Sequence, residues 1–321
     1  MVGIIASFVI AVGWAALSTR LGPRIGFVDN PGGDALKIHK RPVPPLGGIG
    51  IFAGVHTGMF LEGIFDPGLF LATASVLVLG LADDRIGLSP RFRLGAEVAA
   101  AALLVGLVTT AHEGPAQIGL GVLFVVIAVN AVNLLDGLDG LVGSVVVVSG
   151  LGLAGLGLQG ASGSTYGLVL AAGALGFLML NWHPARVFLG DNGAYTIGML
   201  LAYAVVTHPD PGFGSKSLLA MGIMGVFFID LGATLFRRAA NRERIFVGDR
   251  RHLYDQLRDR EWSIRGIATF AALVQTILAA LFLGLLAAGG GSMTAVVSIG
   301  LVGGIILALL WRFGFLQGVT T

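Results

Sequence analysis

The chain has 321 residues, of which 55% are hydrophobic and only 12% charged, with a mean hydropathy of +0.88 and a formal net charge of +2; an ordinary soluble domain carries roughly 25% charged residues. Such a chain is an all-α integral membrane protein, and its pI near 9.2 reflects the placement of basic residues against a membrane rather than a nucleic-acid partner. The absence of cysteine excludes a disulfide framework and a thiolate metal site.

In chain order, the first apolar segment lies near 2–19. It has no basic residue ahead of it and is long for a cleaved signal, so it reads as a retained span. Further apolar segments follow near 46–65, 68–82, 95–111 and 117–135. The uncharged runs from Gly140 to Ala185 and from Gly266 to Trp311 are each about twice the ~20 residues needed to cross a bilayer, which makes each a helical hairpin. Their turns fall at Gln159–Thr165 and at Gly289–Ser292, where Gly and Ser interrupt the run. Segments near 192–207 and 217–236 complete about eleven transmembrane helices in a single domain over 1–321.

If eleven spans alternate, nineteen of the 20 basic residues, all but Lys216, fall on one side. Excess Lys and Arg mark the cytoplasmic side, so the N-terminus is expected outside, the C-terminus in the cytoplasm, and the protein in the cell membrane. Five polar loops share the cytoplasmic face: 20–46, 83–94, 133–140, 183–192 and 237–265.

Those loops hold the residues with chemical potential. Lys37, His39, Lys40 and Arg41 precede three prolines and the pair Gly47-Gly48, a basic approach to a helix entrance that suits phosphate oxygens. Asp83 and Asp84 are adjacent carboxylates at a helix end, which repel unless a cation or a shared proton offsets them. Asn130, Asn133, Asp136 and Asp139 repeat every third position and so line one helical face; a cap and glycine turn is the plainer reading, but four polar groups exceed what a cap requires. Asp191 sits in Gly190-Asp191-Asn192-Gly193 at another helix entrance. Asp230 lies inside a span, where an ionisable group is a functional candidate. In Asp249-Arg250-Arg251-His252 the arginines serve either topology or a pyrophosphate.

Taken in order, Lys37-x-His-x-x-Pro-x-Pro-x-Leu-Gly-Gly, Asp83-Asp84-x-x-Gly-Leu-Ser-Pro, Asn133-x-x-Asp-Gly-x-Asp-Gly-Leu, Phe188-x-Gly-Asp191 and Asp249-x-x-His252 resemble the polyprenyl-phosphate N-acetylhexosamine-1-phosphate transferases, the MraY/WecA family, and the WecA/TagO type more than MraY. The resemblance runs from about residue 28 to 265. It implies a magnesium-dependent enzyme, with manganese as a substitute, that moves N-acetylhexosamine 1-phosphate from a UDP-sugar, UDP-GlcNAc first among them, to undecaprenyl or another polyprenyl phosphate, releasing UMP at the first membrane step of a cell-envelope glycan.

On that resemblance Asn133 and Asp191 match the metal ligands, and Asp83, Asp84 and Asp136 match essential acids. Asp139 and Phe188 match the positions that hold uracil. Lys37, Arg93, Arg250, Arg251 and His252 would face the phosphates and sugar, and a homodimer is the expected assembly. Asp83 is the candidate to remove any remaining acceptor proton, with Asp84 positioning the site. This chain departs from the His-x-His-His pattern of many WecA-type last loops, reading His252-Leu253-Tyr254-Asp255, and carries Arg93 where Lys is common. A transporter, a scaffold descended from the family, and a CDP-alcohol phosphotransferase are the competing readings; the contiguous Asp-Gly-x-x-Ala-Arg run of the last is absent from the chain.

Overall fold

The computed structural model describes residues 1–32, 41–108, 114–157, 161–207, 214–242 and 251–316. These form thirteen helices, with no strand beyond an isolated bridge between Asp29 and Val43 among the described residues. In order they are α1 (Val2–Arg24), α2 (Gly47–Leu61), α3 (Pro67–Ile86), α4 (Pro90–Val108), α5 (Pro115–Leu135), α6 (Leu141–Leu156), α7 (Ala161–Asn181), α8 (Gly190–Val206), α9 (Ser215–Ile223), α10 (Gly225–Ala240), α11 (Leu253–Asp259), α12 (Ile264–Ala287) and α13 (Ser292–Arg312). Among the described residues, α1, α5, α7, α12 and α13 are long and apolar enough to cross a membrane, and α2 and α6 are shorter apolar helices. Together with large apolar side chains exposed along α1, α12 and α13, this is the architecture of an integral membrane protein.

Helix ends follow local chemistry. Asp66 caps α3 by accepting from Leu69 N at 2.9 Å, Pro67 follows it, and Gly87 closes the same helix in the left-handed region at φ 64°. The apolar segment near 217–236 differs from the single span its composition suggests. It is broken into α9 and α10, which meet at 76°. A break inside an apolar bundle leaves backbone groups without helical partners, and Gln275 of α12 supplies them: its Oε1 accepts from Val226 N at 3.0 Å and its Nε2 donates to Ile223 O. The Phe282 ring occupies the space where a side chain at Gly222 would stand.

The centre of the bundle is packed through small residues. At Gly80 of α3 a Cβ would stand 2.3 Å from the backbone of Asn192, so glycine lets α3 lie directly against the start of α8. That contact joins two of the acidic segments. Gly106 of α4, by contrast, has nothing within 4 Å of a Cβ position. Gly80→Ala is therefore expected to lower the unfolding midpoint of the detergent-solubilised protein by overpacking, at a cost of about 1–3 kcal/mol. Gly106→Ala should hold or raise it, since alanine removes the entropy penalty of helical glycine. Thermal scanning of both variants checks the opposed signs.

Candidate active site

One end of the bundle gathers the turns after α1, α5 and α7, the end of α3 and the short helix α11 around a cavity of about 860 Å³. The other end holds the N-terminal ammonium, which pairs with Glu62 at 2.5 Å, and Asp66, which accepts from Tyr203 at 3.1 Å. Asp29, Asp84, Asp136, Asp139, Asp191 and Asp255 all line the cavity.

Asp84 stands at the mouth of α8. Its Oδ1 accepts from Asp191 N at 3.0 Å, and its Oδ2 from Asn192 N at 3.2 Å and Asn192 Nδ2 at 2.7 Å. A helix N-terminus presents unbonded N–H groups and a positive dipole end, so a carboxylate there is favoured by about 1–2 kcal/mol where partly buried. Gly190 enters α8 at φ 74°, and a Cβ there would lie 2.8 Å from both Asp84 Oδ2 and Pro45 O. The Asn192 amide also donates to Pro45 O at 2.7 Å, tying the chain before α2 to the same point.

Asp83 points elsewhere. Successive helical residues are turned by about 100°, so neighbours in a pair cannot face one cavity equally. Asp83 is 7% exposed and does not line the cavity. It accepts from Leu88 N at 2.7 Å, Arg93 Nη1 at 3.0 Å and Tyr195 Oη at 2.9 Å. The expectation that it reaches the acceptor proton meets a carboxylate already engaged by three donors, and Arg93, expected at the phosphates, is one of them.

The loop after α5 supplies the rest. Asn133 Nδ2 donates to Asp191 Oδ1 at 2.7 Å. Asp139 Oδ2 receives Ala185 N at 3.0 Å and lies 2.7 Å from His183 Nδ1. Asn181 fastens the two loops together, accepting from Gly140 N and donating to Val187 O, each at 2.9 Å. Phe188 reaches the cavity and is held by backbone bonds to Pro44 O and from Gly47 N, both at 3.0 Å. Asp136 follows the end of α5, half-buried, with its carboxylate pushed well above the usual range by burial and then by Asp191, Asp84 and Asp139.

Lys37 and Arg250 lie outside the described residues. Arg251 does not line the cavity, and His252 is 5% exposed with Nδ1 2.8 Å from Asp230 Oδ2. Asp230 also accepts from Leu253 N at 3.0 Å, so the two polar positions of the ninth segment and the last loop meet each other. Sequence reasoning missed Asp29, Asn30, Asn181, His183, Tyr254, Asp255 and Arg258 as cavity residues. Proximity to the recognised motifs was the available signal, since each lies a few residues from one of them.

The donor set fits a hard divalent cation. Asp191, Asp136 and Asp84 offer carboxylate oxygens, and burial followed by repulsion from Asp191 and Asp84 raises the proton affinity of Asp136, a repulsion that a cation would relieve. A half-turn of the Asn133 amide sets its oxygen beside Asp191, so those two would hold Mg²⁺, with Asp136 adjacent. Among the described residues no group of three His, Cys, Asp or Glu has metal-holding geometry. Because protons compete for Asp136, Mg²⁺ affinity should fall as the pH is lowered, and Asp136→Asn should flatten that dependence. Calorimetric titration with Mg²⁺ at several pH values measures both.

The family described as glycosyl transferase family 4 matches residues 67–208. A protein of Streptomyces coelicolor named as a glycosyltransferase is 33% identical over 85% of this chain and 68% of its own length. A decaprenyl-phosphate N-acetylglucosaminephosphotransferase of Mycobacterium tuberculosis is 28% identical over 74% of this chain and 70% of its own. An undecaprenyl-phosphate alpha-N-acetylglucosaminyl 1-phosphate transferase of Salmonella typhi is 27% identical over 86% and 81%.

Proposed function

Because this chain belongs to glycosyl transferase family 4, we propose that it transfers N-acetylglucosamine 1-phosphate from UDP-GlcNAc to a polyprenyl phosphate, releasing UMP. The observation that carries this reading is the acidic cavity at one end of an apolar bundle, where a lipid phosphate keeps its tail in the bilayer while its headgroup meets a soluble nucleotide.

Eleven membrane crossings would be made by ten unbroken helices plus the bent α9–α10 pair, with α11 too short to span; among the described residues, five of those helices and the bent pair are long and apolar enough to cross. The basic residues near the cavity end support a cytoplasmic cavity and C-terminus, an external N-terminus and residence in the cell membrane.

In the reaction an oxygen of the lipid phosphate attacks the β-phosphorus of the donor, and the bond from that phosphorus to the bridging oxygen breaks as UMP leaves. Magnesium, when bound, would offset the negative charge that accumulates on the phosphates. Asp191 and Asn133 would hold it. Asp139, steadied by Ala185 N and His183, and Phe188, fixed by backbone bonds, would hold the uracil edge and face. A phosphate monoester has its second pKa near about 6 and is largely ionised at neutral pH, so attack needs no strong base. The three donors on Asp83 support a scaffolding role in which it holds Arg93 and Tyr195 behind the site.

Purified protein supplied with UDP-GlcNAc, undecaprenyl phosphate and Mg²⁺ should yield UMP and a lipid-linked product. Asp191→Ala should lower turnover by on the order of 10²-fold or more. No product with any UDP-N-acetylhexosamine would overturn the proposal. Asp83→Asn should reduce turnover alike at every pH; a defect confined to pH below about 6, where the acceptor is partly protonated, would restore Asp83 as the base.

A further inference from the structure

The cavity presents an electrostatic mismatch. Its lining is rich in aspartate, yet a nucleotide-diphosphate donor is itself an anion. Three described side chains on the wall can carry positive charge: Arg85, His183 and Arg258. Arg85 is committed to the chain after α1, donating to Gly26 O at 2.7 Å and lying over the Phe27 ring at 5.7 Å. His183 is committed to Asp139. Arg258 is half-buried, and its guanidinium has no ion pair or hydrogen bond among the described residues.

Arg258 is held in place by the helix that bears it. α11 begins at His252, which is buried against Asp230 of α10 and stacks on Tyr254 with ring centroids 5.4 Å apart. Tyr254 donates to Leu134 O at 3.3 Å and fills the space over Gly137, where a Cβ would stand 2.1 Å from its hydroxyl. The helix is therefore seated on α10 at its start and on the Asp136–Asp139 loop along one side. Asp255 and Arg258, three residues apart on one helical face, are turned into the cavity by that seating.

We infer that Arg258 is the guanidinium that binds the diphosphate of the donor, in the same cavity that Asp191 and Asn133 line. This deepens the donor reading above and rests on it. The sequence placed that role on Arg250, Arg251 and His252. In the structure, however, His252 positions α11, and the arginine one helical turn beyond Tyr254 and Asp255 reaches the cavity. An arginine fork suits two phosphate oxygens, and it sits in the stretch where this chain departs from the histidine-rich last loop.

The test is calorimetric binding of UDP and of uridine to the full-length protein in detergent with Mg²⁺, comparing wild type with Arg258→Gln and Arg258→Lys. Wild type should bind UDP more tightly than uridine. Arg258→Gln should weaken UDP by about ten- to a hundredfold while leaving uridine within about twofold, and Arg258→Lys should recover part of the loss by restoring charge without the fork. Equal UDP affinity in wild type and Arg258→Gln overturns the inference. So does a parallel loss of uridine binding, which would mark general damage to the cavity, and so does an absence of UDP binding in the wild type. A UDP-specific loss in a protein that forms no lipid-linked product would uphold the diphosphate site and count against the transfer reaction alone.

Discussion

The site depends on a carboxylate that organises a helix entrance: Asp84 receives the first N–H groups of α8 and the Asn192 amide. Without that anion the entrance to α8 would present unbonded donors in a half-buried place, at a cost of about 1–3 kcal/mol each. With it, the backbone at Asp191 is held, the Asp191 side chain is set against Asn133, and the end of α5 is placed relative to α8. Gly80 makes this possible by letting α3 lie against Asn192, so one absent methyl and one carboxylate together bring three helices to a point.

The arrangement is expensive in the unliganded protein. Several carboxylates face one another where water is partly excluded, and Asp136 shows the consequence in its raised proton affinity. A fold optimised for stability alone would disperse them. Here they are concentrated and braced from behind by Asn181, Arg93 and Tyr195, which keep the loops from relaxing apart. A cation would offset that cost, and binding sites commonly depart from local stability rules in this way.

Much of this was legible in the chain. Asp84, Asp136, Asp139 and Asp191 interrupt apolar runs at their ends, and the parity of the spans puts them on one face whatever the residue-level detail. Which of two adjacent carboxylates enters the cavity was not legible, because Asp83 and Asp84 differ by one step around a helix whose rotation is set by tertiary packing. The break at Met224 was hidden for a similar reason. Gly222 and Gly225 look like ordinary packing glycines until Gln275, fifty residues later, is seen to meet the freed backbone groups. The pairing of His252 with Asp230 was not legible either, because the two lie on different elements.

The cavity wall takes residues from Gly26 at one end of the chain to Ile264 near the other, and α11 rests on Gly137 from more than a hundred residues downstream. A chain emerging from the ribosome therefore has its acidic loops in the membrane long before Tyr254 and Arg258 arrive to cover them. Completion of the site is tied to completion of synthesis. A polypeptide halted before α11 would carry the carboxylates without the residues that close over them, and so would not become a half-built catalyst consuming a scarce lipid carrier.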